Sequence, residues 1–89
     1  MYQLRLLPRA RRELDKLPAE VLHRITEALQ KLRDDPRPHG VKKLRGSIYR
    51  VREGDWRIIY AVSDKENLVL VGRIARRSKD TYDGIEDLF

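Results

Sequence analysis

The amino-acid sequence predicts an α+β domain in which two helices pack on one face of a small, mostly antiparallel sheet. Three observations favour this class. A short alternating stretch opens the chain, two stretches with apolar residues three and four apart follow it, and alternating or branched apolar residues then continue to Ile74. The predicted element order is β-α-α-β-β-β, within a single domain spanning residues 1–89.

The first strand and first helix meet at Pro8. Before it, apolar residues alternate with polar ones at Tyr2, Leu4 and Leu6, as in a half-buried strand. From Arg9 the period changes, and Ala10, Leu14 and Leu17 are spaced for one face of a helix.

The second helix is predicted to begin at Pro18, because proline is well accommodated in a first turn. Asp34-Asp35-Pro36 ends it, and residues 36–43 form a loop. Its apolar face consists of Val21, Leu22, Ile25, Ala28, Leu29 and Leu32.

A hairpin is predicted around Gly54-Asp55, because alternating residues lie on both sides of this turn. After a polar turn at 64–67, the branched stretch Leu68–Ile74 is apolar on both faces, which is typical of a central strand covered by helices. For the acidic tail at 80–89, a short last helix and a flexible end both remain open.

Composition predicts a cytoplasmic domain with an anionic partner. The chain has no cysteine, no apolar run long enough to cross a membrane and no apolar leader within its first twelve residues. Twenty Lys and Arg against fourteen Asp and Glu give a formal charge of +6. No cofactor motif is present, and neither His23 nor His39 has a partner at metal-ligand spacing.

Arginines on the predicted hairpin indicate what the anion is. Arg50 and Arg52 share one face of a strand, and a turn at Gly54-Asp55 brings Arg57 across from them. Because clustered like charges repel, this arrangement favours a bound phosphate. The alternative is an ordinary solvated sheet face. Four further cations add to the cluster from the end of the last strand: Arg73, Arg76, Arg77 and Lys79.

Three aromatic residues have two different interpretations. Tyr82 follows the basic run and could stack a base, contact a phosphate or anchor the tail. Trp56 and Tyr60 fall on the strand face opposite Arg57, where core packing is the better interpretation.

The sequence resembles the RelE/ParE toxin superfamily, and is nearest to RelE. The resemblance covers essentially the whole chain. It rests on Lys43-Leu44-Arg45-Gly46, Tyr49-Arg50-Val51-Arg52, Gly54-Asp55-Trp56-Arg57-Ile58-Ile59-Tyr60 and Arg76-Arg77-Ser78-Lys79-Asp80-Thr81-Tyr82.

The resemblance implies a toxin of a type II toxin-antitoxin system that cuts mRNA in the ribosomal A site. In such toxins a ribose 2′-OH attacks the adjacent phosphate, with no metal. Carried over by position, the implied catalytic residues are Arg52, Arg57, Arg76 and Tyr82. Phosphate binding is predicted for Arg50, which the resemblance implies, and for Lys43, Arg77 and Lys79.

Two departures leave roles open. The strand cations are lysines in the best-known RelE-type sites, and arginine is a poor general base, so the base is not assigned. The adjacent Arg76 and Arg77 leave open which of them faces the site.

The resemblance also implies partners and alternatives. The partners are a RelB-like antitoxin, the ribosome and mRNA, with a possible toxin-antitoxin hetero-oligomer. ParE-like members share the fold but poison DNA gyrase, and a third alternative is an inactive domain kept for antitoxin binding.

Overall fold

A computed structural model describes residues 1–78 and Phe89. Its elements confirm the predicted class. They are β1 (Gln3–Leu6), α1 (Pro8–Asp15), α2 (Ala19–Asp34), β2 (Lys42–Arg45), β3 (Ile48–Glu53), β4 (Trp56–Ser63) and β5 (Leu68–Arg76). In the described part of the chain, no helix is long and apolar enough to cross a membrane.

The five strands form one sheet in the order β1-β5-β4-β3-β2. All neighbours are antiparallel except β1 and β5, which pair in parallel. β2 is an addition to the predicted order. The loop predicted to extend to Lys43 therefore ends earlier, because Lys42 and Lys43 already pair with β3. An edge strand rich in cations lacks the apolar alternation that reveals an inner strand.

The predicted helix boundaries are largely confirmed. Pro8 lies at the start of α1, and Pro18 caps α2, which begins one residue later. Leu17, predicted on the first helix, lies just beyond its end and still packs against the core.

The core lies between the helices and one face of the sheet. Ile25 and Leu32 of α2 pack there with Ile58, Tyr60 and other residues of β4 and β5. Tyr60 is fully buried, and its hydroxyl donates a 2.7 Å hydrogen bond to the Pro36 carbonyl. Burial raises the pKa of the Tyr60 phenol, so the ring stays neutral and remains a donor.

A bulge in β5 changes which side chains reach each face of the sheet. Ile59 pairs with Arg73 while Tyr60 pairs with Val71, so Gly72 is an extra residue in β5. A Cβ built on Gly72 would lie 2.6 Å from the ring of Phe89, which packs directly against this backbone.

Arg37 connects the loop after α2 to the far end of the hairpin. Its guanidinium donates to both carboxylate oxygens of Asp64 at 3.1 and 3.0 Å, and its Nε donates to the Tyr49 hydroxyl at 3.0 Å. The Tyr2 hydroxyl donates to the same carboxylate at 2.6 Å. We call these four residues the Arg37 cluster. The bonds from Arg37 and Tyr2 lower the pKa of Asp64, and the Asp64 carboxylate raises the pKa of Tyr2.

Candidate phosphate-binding groove

A groove of about 360 Å³ opens on the sheet face opposite Trp56 and Tyr60, at the end where the β3–β4 hairpin turns. We call it the phosphate groove. Seven residues line it, five of them cationic: Lys42, Leu44, Arg50, Arg52, Arg57, Arg77 and Ser78. None of these lining residues is a carboxylate, so the groove is strongly electropositive.

Strand register brings the cations together. Arg52 lies directly across from Arg57 in the β3–β4 pair, as predicted, and Arg50 shares the Arg52 face two residues away. On the other side of β3, Lys42 is the partner of Arg50. The turn is tight because Gly54 adopts a φ of 59°, which glycine tolerates without strain.

Arg50 is the most unusual member of the groove. The residue is 7% exposed, and its buried Nε has no hydrogen-bond partner in the described structure. A buried donor without a partner is costly, and a charged one more so. Arg50 therefore lines the groove at a cost in stability that no partner within the described structure offsets at its Nε.

Arg57 is equally buried but already has partners. It is 6% exposed, and its Nη1 donates to the carbonyls of Gly54 and Trp56, both at 2.9 Å. The Nη1 group of Arg57 thus stabilises the hairpin turn. Arg52 is instead exposed, so it can move to meet a ligand.

The structure places Arg77, rather than Arg76, in the phosphate groove. The Arg77 backbone N–H donates to the Asp55 carbonyl at 2.7 Å and holds the chain beside the turn. Arg76 pairs with Trp56 and lines a different groove, on the helix side of the sheet.

Other predicted cations have varied positions. Lys43 pairs with Tyr49, which packs toward the core, so its neighbour Lys42 is the lysine that lines the groove. Arg73, predicted to add to the cluster, instead bonds Glu13 of α1 at 3.2 Å. Lys79 and Tyr82 lie outside the described residues, as does all of the tail at 80–88.

The chemistry available in the groove is electrostatic. Guanidinium groups bind phosphate oxygens in a planar fork and stabilise charge that develops on them. Among the described residues, no group of three or more His, Asp or Glu side chains is arranged to hold a metal ion.

Comparisons with known proteins give the family. A family model for the ParE toxin of type II toxin-antitoxin systems matches residues 4–81. The toxin RelG of Mycobacterium tuberculosis is 33% identical over 85 residues, which is 91% of this chain and 95% of RelG.

Solved structures agree with this result. The RelE–RelB complex of Pyrococcus horikoshii superimposes with a TM-score of 0.80 at 28% identity, covering 88% of this chain and 97% of the matched one. The isolated RelE toxin of E. coli gives 0.77 at 25% identity, with both chains covered completely. The family model, the relative and the fold together define a small basic toxin similar to RelE. The chain belongs to the RelE/ParE family of toxins of type II toxin-antitoxin systems.

Proposed function

We propose that this toxin is a metal-independent endoribonuclease that cuts mRNA on the ribosome. The observation that carries the proposal is Arg50, a nearly buried guanidinium whose Nε lacks a partner and which opens on a groove lined by four other cations. A site built to hold one phosphate at several points suits transfer of a phosphoryl group to the adjacent 2′-OH.

Roles follow from position in the phosphate groove. Arg50 and Arg57 hold the scissile phosphate, since they are buried and fixed. Arg52 is exposed and lies opposite Arg57, so it stabilises the charge that develops as the 2′-OH loses its proton to a base that is not assigned. Arg77, placed in the groove, is the better candidate for the charge at the leaving 5′ oxygen. Arg76 and Tyr82 remain proposed contributors from the adjoining surface and tail.

We also propose a RelB-like antitoxin as partner. RelE toxins of Pyrococcus horikoshii and E. coli are found in complexes with RelB. An antitoxin of this kind would lie over the helices and sheet as an amphipathic segment with acidic side chains near the groove cations.

The test is cleavage of ribosome-bound mRNA by the purified toxin, read by primer extension. Breaks in phase with codons are expected from the native protein and from Lys65→Ala, which removes an exposed cation at a distant turn. Arg52→Ala should lose about ten- to a thousand-fold in rate, because it removes a preorganised charge that stabilises the transition state. A chelator selective for transition metals should leave the rate unchanged when magnesium is buffered separately.

A second candidate is inhibition of DNA gyrase, because the matching family model is named for ParE. A plasmid supercoiling assay on the same preparation separates the two. Intact mRNA with relaxed or cleaved plasmid would replace the nuclease proposal, and absence of both effects would indicate an inactive, antitoxin-binding member.

A further inference from the structure

A second groove, of about 490 Å³, lies on the helix side of the sheet beyond the end of α1. Its floor is apolar and includes Leu17, Trp56 and Ile74. Trp56 is half-buried, with part of its indole packed against the core. We call it the Trp56 groove.

The Trp56 groove and the phosphate groove meet at Arg77 and Ser78, which line both. The two grooves lie on opposite faces of the same sheet end, because Trp56 and Arg57 are successive residues of β4. A ligand that wraps around this end therefore passes Arg77 on its way from one groove to the other.

The rim of the Trp56 groove is positively charged. Lys16, Arg76 and Arg77 line it. The groove also contains the carboxylate of Glu13, but this group accepts hydrogen bonds from Arg73 at 3.2 Å and from the Ile74 backbone N–H at 2.8 Å. Its charge is thus compensated within the protein, and the rim attracts anions.

An apolar floor with an aromatic ring and a cationic rim suits a nucleotide. Each nucleotide joins a phosphate to a flat base, and this groove is lined both by the Arg77 cation and by the Trp56 ring. Stacking on an aromatic side chain tolerates any base, because every base has a π face. An acidic peptide would satisfy the cations but has no flat group at each residue.

We propose that the Trp56 groove is a base-binding subsite, in which Trp56 stacks the nucleoside next to the phosphate held in the phosphate groove. This inference rests on the proposed function insofar as it takes the polyanion to be RNA.

The chain itself provides the probe, because Trp56 is its only tryptophan. The intact toxin is titrated at low salt with a short RNA whose central 2′-OH is replaced by hydrogen to prevent cleavage. Binding is followed by anisotropy of a dye on the RNA, and stacking by the emission of Trp56. The RNA should quench or shift this emission, whereas an oligomer with abasic positions should bind more weakly and leave it unchanged.

Variants separate stacking from folding. Trp56→Leu should weaken RNA binding by about 5- to 150-fold, the range for one lost stack. Trp56→Phe should recover most of this loss, and Leu22→Ala, an exposed position on α2 outside both grooves, should change nothing. Circular dichroism checks that each variant is folded.

Several results would overturn the subsite. RNA that binds without changing Trp56 emission, or that does not bind at all, removes the subsite. An oligoglutamate peptide that changes this emission when RNA does not would assign the groove to a protein partner. Cleavage of ribosome-bound mRNA is measured separately, so the nuclease proposal stands or falls by its own assay.

Discussion

Arg57 and Arg52 face each other across two strands, yet only one of them stabilises the fold. Because Arg57 Nη1 bonds two carbonyls at the hairpin turn, Arg57→Ala should lower the free energy of unfolding by about 1.5 to 3 kcal/mol, the range for hydrogen bonds to a charged group. Arg52→Ala should be nearly neutral in the same urea titration while losing cleavage activity. Equal stabilities of the two variants would contradict a structural role for Arg57.

For Arg50 we expect the opposite of Arg57: its removal should not lower the stability of the fold, but it should weaken the binding of an anion. A buried cation without a partner for its Nε destabilises the empty protein, so Arg50→Met should unfold at an unchanged or higher urea concentration. Pyrophosphate should raise the melting temperature of the native toxin, since a ligand that binds only the folded state stabilises it, and this increase should shrink in Arg50→Met. The same increase in both proteins would show that the anion binds elsewhere.

The role proposed for Arg52 in cleavage also predicts how the cleavage rate of an Arg52 variant depends on pH. Lysine at this position can lose its proton, because neighbouring cations lower the pKa of an amine, whereas arginine stays charged. Arg52→Lys should therefore give a cleavage rate that depends more steeply on pH between about 6 and 9. Single-turnover cleavage of ribosome-bound mRNA measures this. Profiles identical to the native one, together with a fully active Arg52→Ala, would remove Arg52 from the site.

At the scale of elements, the Arg37 cluster joins the α2–β2 loop to the turn after β4. The pKa of Asp64 is lowered in the folded state, so its contribution to stability is present above the ordinary carboxyl value near 3.9 and disappears as pH falls through the folded value. Asp64→Asn should thus be less stable than the native protein at pH 6 and approach it below about pH 3. A difference in melting temperature that persists unchanged at low pH would contradict this.

The alternation of residues along β3 and β4 made the arginine cluster predictable from the sequence. Which cations at β2 and at the end of β5 join this cluster could not be predicted. Which of Lys42 and Lys43 lines the phosphate groove depends on the register of the edge strand β2, which the sequence does not reveal. Arg76 and Arg77 exchange faces because of the bulge at Gly72, since one extra residue reverses the alternation beyond it. A single glycine in an apolar run does not reveal whether it forms a bulge.

At the scale of the whole molecule, the fold class could be predicted from the spacing of apolar residues. This spacing changes from two residues, typical of a strand, to 3.6, typical of a helix, and then back to two, and each spacing places apolar residues on one face of its element. Strand order was harder to predict. β1 pairs with β5 and not with the strands nearest to it along the chain, and this pairing depends on contacts that no local pattern records.

The pairing of β1 with β5 also determines when the toxin becomes complete. Gln3 has Leu68 as its partner, so the first strand made during synthesis finds its neighbour only after nearly the whole described sheet has been translated. Pairing across such a separation is slow, because the intervening chain must be closed into a loop. Arg77 follows β5 immediately along the chain, so the strand that completes the sheet also places Arg77 in the phosphate groove. A nascent chain that has not yet released β5 has neither a complete sheet nor a finished groove, so the toxin acquires its folded form only at the end of its own synthesis.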